Sequence, residues 1–260
     1  MADARRWAVV TGAAGGIGAA VARHLAKDGF AVMMQDLQPE PLAAAAERVR
    51  AQGGVAETMA GDAADPAHAR AVVERAESLG RVDALVNVAG GSGPKVVRRI
   101  EEMDDASWSH VLALNVTSAF LFCRAAVPGM RRRGHGRIVN LSSTAARGRK
   151  GPVTTQGARL AYGTAKAALL GFTAQLAKDE AANGITVNAL MPGLILSEQG
   201  TRIRARFEAL PEEHRARMLA EIPAGRPGEA EEVAAVAAFL CSPAAAYVNG
   251  VGLPVDGAFL

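Results

Sequence analysis

Aromatic residues are scarce in this chain. Phe, Tyr and Trp make 4% of its 260 residues, with two tyrosines and two tryptophans. That density offers no run of stacking platforms for single-stranded nucleic acid. Charge of one sign is lacking too: 29 Lys plus Arg against 26 Asp plus Glu leaves a net +3, too little to argue for a nucleic-acid partner. Cysteine occurs only at Cys123 and Cys241, each inside an apolar stretch. This excludes a disulfide framework and reads as two small buried hydrophobes in a reducing compartment. No Cys/His cluster has zinc spacing, so no metal is expected. No uninterrupted apolar run approaches the ~20 residues of a membrane span. The opening Met1-Ala2-Asp3-Ala4-Arg5-Arg6-Trp7 does not read as a signal peptide. A soluble, cytoplasmic protein without membrane or nucleic-acid partners is the expectation.

What the chain does have is apolar content: half of its residues are hydrophobic and 21% are charged. That excludes intrinsic disorder. A chain of this length can bury roughly three quarters of its unfolded surface without a covalent staple. Short apolar runs alternate with longer helical stretches. Strands are expected at Trp7 to Val10, Ala31 to Met34, Val55 to Ala60, Ala84 to Val88, Arg137 to Leu141, Thr186 to Leu190 and Val251 to Val255. Helices are expected at Gly16 to Asp28, Pro41 to Gln52, Asp65 to Leu79, Ser107 to Met130, Leu160 to Ala182 and Ala230 to Leu240. Gly29 is placed to stop the first helix and Asp65-Pro66 to start the third. The strands are continuous apolar runs, the pattern of strands covered on both faces. The repetition predicts an α/β fold with right-handed crossovers. No linker divides the chain, so one domain spanning 1–260 is expected. The long irregular stretches are Gly91 to Met103, Thr144 to Arg159 and Gly193 to Pro223, and such loops usually carry function.

Between the first strand and its helix lies Thr11-Gly12-Ala13-Ala14-Gly15-Gly16-Ile17-Gly18. Gly12 permits the turn at the strand end. Gly16 and Gly18 remove side chains that would hold back a pyrophosphate or keep the helix off the sheet. The helix N-terminus offers free N–H groups to phosphates. Asp36, at the end of the second strand, is placed to accept both hydroxyls of a ribose. A 2′-phosphate would lie close to that carboxylate, at a cost on the order of 1–4 kcal/mol. Position 15 is glycine, so no cation there compensates, and NAD is favoured over NADP. Asp62-Ala63, after the third strand, either meets the adenine edge or caps the next helix.

Tyr162 and Lys166 are four apart at the start of a helix and share a face. A free tyrosine titrates near 10. Lys166 and an oxidised nicotinamide ring, both cationic, would favour phenolate and bring the proton within reach of neutral pH. Ser142 and Ser143 end the fifth strand, where open α/β sheets place ligands. A hydroxyl there orients a carbonyl or carbinol oxygen, or else serves a turn.

Taken together these pieces resemble the short-chain dehydrogenase/reductases. The matching residues are the Thr-Gly-x-x-x-Gly-Ile-Gly loop, Asn87-Val88-Ala89-Gly90, Asn115, Ser143, Tyr162 with Lys166, Pro192-Gly193, and Asn249-Gly250 followed by Val255-Asp256-Gly257. They span nearly the whole chain in family order. The resemblance implies a Rossmann-type doubly wound sheet of seven parallel strands in order 3-2-1-4-5-6-7. It implies Tyr162 as general acid/base and Lys166 as the group lowering its pKa and holding the nicotinamide ribose. Ser143, rather than Ser142, would polarise the substrate. Asn115 would hold a relay water. Asn87 would brace the central strands, and Ala89-Gly90 would pass the adenosine ribose. Pro192, Gly193 and the Ile195 backbone would flank the nicotinamide, with Ser197 where the family often has Thr. A homo-oligomer built on the two long helices, usually a tetramer, is also implied. The chain departs from the pattern at Val88, a frequent Asn, where the backbone makes the contact. It departs again in a longer Ser143-to-Tyr162 connection carrying Arg147, Arg149, Lys150 and Arg159.

The reading is an NAD(H)-dependent oxidoreductase interconverting a secondary alcohol and a ketone on a small or medium-sized substrate. Gly193 to Pro223 would form an amphipathic lid. Its Arg202, Arg204, Arg206, Arg215 and Arg217, with Arg147 or Arg149, either meet an anionic group on the substrate or line a solvated face. A sugar or polyol, a cyclic alcohol and a hydroxyacyl compound stay open. One alternative is a 3-oxoacyl thioester reductase. Relatives of that kind carry basic docking residues at positions that are Gly134 and Asn183 here, although Arg131, Arg132 and Arg133 lie just before. A non-catalytic NAD-binding sensor or assembly subunit is the rival from another class.

Overall fold

The computed structural model describes residues 5–94, 97, 99–148, 159–198 and 202–260, without the side chains of Arg159 and Arg202. Arg149 and Lys150 of the long connection therefore lie outside the described residues. The chain begins β1 (Arg6–Thr11), α1 (Gly16–Lys27), β2 (Ala31–Asp36), α2 (Pro39–Ala51), β3 (Val55–Ala60), α3 (Pro66–Leu79) and β4 (Arg81–Asn87). It continues α4 (Asp105–Leu112), α5 (Ser118–Arg133), β5 (Gly136–Leu141), α6 (Arg159–Glu180), β6 (Ile185–Pro192) and β7 (Ile195–Leu196). It closes α7 (Arg202–Glu208), α8 (Glu212–Ala220), β8 (Gly228–Glu229), α9 (Ala230–Cys241) and β9 (Gly252–Val255).

Seven strands form one parallel sheet in the order β3-β2-β1-β4-β5-β6-β9. This is the order the resemblance implied, because the two-residue strands β7 and β8 pair only with each other. The central strands are buried at nearly every position, for the reason their apolar runs suggested: both faces are covered. On one face α1, α2 and α9 bring Leu25, Leu42 and Val233 onto Val10, Val32 and Val139. On the other, α3, α5 and α6 bring Val72, Phe122 and Ala177 onto Val9, Met33 and Ile138. Cys123 and Cys241 are buried and unpaired, one on each face. Burial pushes both thiols up to about 12, as expected of inert core cysteines.

Local signals account for the helix ends. Asp65 accepts a 2.9 Å hydrogen bond from the Ala67 N–H, with Pro66 in the first turn, and Asp104 accepts from the Ser107 N–H at 2.7 Å. Gly29 has φ +84°, the left-handed stop expected after α1. The expected helix over Ser107 to Met130 is broken: a π turn over Ala113–Thr117 separates α4 from α5. With that turn, Asp105–Arg133 is one helical run long and apolar enough on average to cross a membrane, although it holds no uninterrupted apolar run of that length. Half of its apolar window is buried inside the molecule, where α5 packs on α3 and β4. The segment 193–223, read as irregular, contains α7 and α8. Both fall short of three turns, too few for a firm periodicity.

Candidate active site

Strand C-termini converge on a cleft of about 1580 Å³. Its walls come from the turns after β1, β2 and β4, from the ends of β5 and β6, and from the first turns of α6 and α7. Every open doubly wound sheet has a crevice at this edge. Here the sequence fills it with unusual residues.

The glycine loop is built for close approach. A Cβ on Gly18 would lie 2.1 Å from the Gly12 carbonyl oxygen, and Gly12 itself has φ +64° with Ala89 N only 2.9 Å from a would-be Cβ. Neither position accepts a side chain. Gly15 precedes α1 with nothing within 4 Å of a would-be Cβ, so the loop is open towards the cleft. No side chain caps α1 and no acid sits in its first turn. Among the described residues its first-turn N–H groups meet no side-chain cap and lie at the cleft wall, the arrangement that receives a phosphate.

Asp36 closes the next strand, lining the cleft with Ile17, Leu37, Asp62 and Ala63. Its carboxylate accepts from Ala14 N at 3.0 Å and Gln38 N at 3.2 Å, one bond to each oxygen. Each oxygen keeps lone-pair capacity for a hydroxyl. Asp62 accepts from Ala64 N at 2.8 Å, while the cap of α3 is Asp65. The capping reading of Asp62 is therefore not met: Asp62 makes a local turn and lines the cleft. The glycine cradle, free helix end and ribose-height carboxylate fit a dinucleotide in form and charge.

After β4, Thr11 Oγ1 accepts 3.1 Å bonds from both Val88 N and Ala89 N. The contact at Val88 is made by backbone, as its substitution for Asn required. Asn87 donates to Asn140 Oδ1 at 2.9 Å, and Asn140 donates to Thr173 Oγ1 at 2.9 Å, bracing β4, β5 and α6. Asn115, at the π turn, donates to the carbonyls of Gly91 and Val111, both at 2.8 Å, and accepts from Gly91 N at 3.1 Å. Both amide protons are engaged, so its side chain clamps the Gly91 turn. Gly90 is wedged between this clamp and Lys166, its would-be Cβ 2.5 Å from Asn115 Oδ1 and 3.1 Å from Lys166 Nζ. At the end of β6, Gly193 donates to the Val255 carbonyl at 3.1 Å, and Pro192, Gly193 and Ile195 line the cleft.

The two serines after β5 separate by role. Ser142 is buried and donates to the Lys166 carbonyl at 2.7 Å, tying β5 to α6. Ser143 is half-buried, accepts from Ala145 N at 3.2 Å, and its hydroxyl hydrogen-bonds the Tyr162 phenol. Lys166 is 3% exposed, with Nζ 5.5 Å from the Tyr162 ring centroid. It donates to the Leu141 carbonyl at 2.6 Å.

The electrostatics of this trio differ from the sequence expectation. Burial raises the Tyr162 phenol above its ordinary value, and the Ser143 hydrogen bond lowers it by less. Burial also pushes the Lys166 ammonium down to about 7. The lysine does not acidify the phenol in the protein alone, because desolvation disfavours charge on both groups. A further positive charge in the cleft would favour the phenolate of Tyr162.

A family profile described as enoyl-(acyl carrier protein) reductase matches residues 12–259. The chain is 36% identical to the short-chain reductase protein NovJ of Streptomyces niveus, over 96% of this chain and 92% of that protein. It is 37% identical to the 3-oxoacyl-[acyl-carrier-protein] reductase FabG of Escherichia coli strain K12, over 96% of this chain and 95% of that one. The solved structure of YwfH, an NADPH-dependent reductase of bacilysin biosynthesis, superposes with a TM-score of 0.88 at 26% identity, covering 98% of each chain. Together with the parallel sheet and its glycine loop, these likenesses identify the chain as a member of the short-chain dehydrogenase/reductase family of oxidoreductases.

Proposed function

We propose that the protein is an NAD(H)-dependent enzyme interconverting a secondary alcohol and a ketone, acting as one domain with segment 193–223 as its lid. The observation that carries this reading is the meeting of Ser143, Tyr162 and Lys166 at the strand ends, in one cleft with the glycine loop. A bound nicotinamide supplies the hydride carrier. The chain's own residues place the substrate and move the proton. Ser143 donates to the substrate oxygen and fixes it beside Tyr162. The Tyr162 phenol gives its proton to that oxygen in reduction and takes it back in oxidation. Lys166 stands behind the ring, anchored by its bond to the Leu141 carbonyl, and Asn115 holds the Gly91 turn against it. A sensor without turnover has no need of this assembly.

NAD rather than NADP is supported by Asp36 and by the cleft's cations. Among the described residues these are Lys166, Arg99 and Arg206, none of them beside Asp36 in sequence or strand order. The test compares NADH and NADPH in ketone reduction by the wild type and Asp36→Ala. NADH should be preferred, and the variant should shift the NADH-to-NADPH ratio in kcat/KM about tenfold or more towards NADPH, from the charge term of roughly 1–4 kcal/mol. A wild type that prefers NADPH, with a ratio Asp36→Ala leaves alone, would refute the assignment.

FabG's 3-oxoacyl substrate favours the second reading, a thioester reductase. Its carrier-protein form is less well supported. Arg131 pairs with Glu180, to which Asn183 Nδ2 also donates at 3.0 Å. Arg133 makes two 2.9 Å bonds to Glu77. Arg131 and Arg133 are thus engaged within the fold, whereas Arg132 is exposed. We further propose a cytoplasmic homotetramer on the long helices, where Phe120 is 42% exposed on α5.

A further inference from the structure

The arginines of segment 193–223 are not equivalent. Arg204 donates through Nε to the Ser197 carbonyl at 2.6 Å and lies 3.7 Å from Glu208, holding the base of α7. Arg217 lies 3.6 Å from Glu213 on the exposed side of α8. Arg215 and the exposed Arg147 do not line the cleft. The side chain of Arg202 lies outside the described residues. Arg206 lines the cleft, and its neighbours show why. Ile203, Arg206, Phe207 and Leu210 recur at i, i+3, i+4 and i+7, and all four face the cleft from α7 and the turn after it. This is the stripe an amphipathic helix presents to an apolar surface, with a guanidinium set in its middle.

Charge elsewhere in the cleft sharpens the point. Among the described lining residues the carboxylates are Asp36 and Asp62, which follow β2 and β3 at one edge of the sheet. Segment 193–223 leaves β6, on the other side of β1, β4 and β5. The substrate end therefore pairs apolar walls (Val97, Ile203, Phe207, Leu210, Met218) with cations and no lining carboxylate. We propose that Arg206 is a specificity-determining residue for an anionic group, a carboxylate or a phosphate, carried by an otherwise apolar ketone or alcohol. A planar guanidinium takes either anion through paired N–H donors. The inference rests on the oxidoreductase reading above and names its substrate class.

Two matched probe pairs test it: 5-oxohexanoate against its methyl ester, and acetoacetyl-CoA against the neutral acetoacetyl N-acetylcysteamine thioester. Each is measured by calorimetric binding to the NAD-loaded protein and by turnover with NADH. Wild type should prefer the charged member of at least one pair by about tenfold or more, and the pair that shows it says whether carboxylate or phosphate is read. Arg206→Leu, which continues the apolar stripe, should collapse that ratio. Arg206→Lys should keep part of it. Equal handling of both members of both pairs by wild type, or a ratio untouched in Arg206→Leu, overturns the proposal. Charged probes that bind through Arg206 but are never reduced would leave the anion site standing and refute the oxidoreductase reading instead.

Discussion

Replacing Lys166 with methionine should stabilise the fold at acid and neutral pH while ending turnover. The ammonium is buried, and burial lowers it from 10.5 to about 7. Between those values the unfolded chain holds a proton that the folded protein has released. Wild-type stability therefore climbs with pH across that window, and the full cost of the buried charge is present below it. At 1.36 kcal/mol per unit, the interval from 10.5 to about 7 sets an upper limit of about 5 kcal/mol. Against this, methionine leaves the Leu141 carbonyl without its 2.6 Å donor, a loss of about 1–3 kcal/mol. The variant should be more stable than wild type by up to about 4 kcal/mol near pH 6. It should become less stable by about 1–3 kcal/mol near pH 10.5. Urea titrations of both proteins across that range measure it, and the difference between them cancels the groups they share. A difference that stays flat with pH means the lysine is not depressed. One that grows in the variant's favour as pH rises means the sign of the argument is wrong.

Two further outcomes follow from the same cleft. Tyr162→Phe keeps the ring but removes the proton donor, so kcat should fall by about 10²–10⁴ while the NADH dissociation constant moves less than about threefold; substantial residual turnover would place the acid/base elsewhere. Gly18→Ala sets a methyl 2.1 Å from the Gly12 carbonyl, whereas Gly15→Ala meets nothing within 4 Å. Overpacking of about 1–3 kcal/mol should lower the Tm of the first by roughly 3–10 °C and leave the second near wild type; equal melting of the pair would show that the loop relaxes freely.

Features that depend on local pattern were legible before any fold was known. Continuous apolar runs such as Val9 and Val10 required cover on both faces, and the sheet supplies it. Asp65-Pro66 announced a helix start, and Asp36 an acid at a strand end. The choice of Ser143 over Ser142 was also available, because the family pattern already separated the two. Gly90 matched the pattern without revealing its reason, which is the approach of Asn115 and Lys166 from two distant helices. The π turn at Asn115 escaped because it preserves apolar character on both sides, and periodicity over so few residues does not register a one-residue slip.

Charge was the hardest quantity to read, for a physical reason. The Tyr-x-x-x-Lys spacing puts an ammonium near a phenol, and in water that proximity would lower the phenol's pKa. Spacing carries no information on desolvation, which here outweighs proximity and moves both groups towards neutrality. The arginines pose the same problem in another form. Arg204, Arg206 and Arg217 look alike in sequence, yet one binds a carbonyl, one faces the cleft and one sits beside a surface carboxylate. The i, i+3, i+4, i+7 stripe through Arg206 was present in the letters all along. It gained meaning only once the fold supplied a cleft for that face to meet. Arg204 and Arg217 stand off the cleft lining, whereas Arg206 sits inside an apolar face that lines it. That contrast, and not the number of arginines, is what makes an anionic substrate the reading to test.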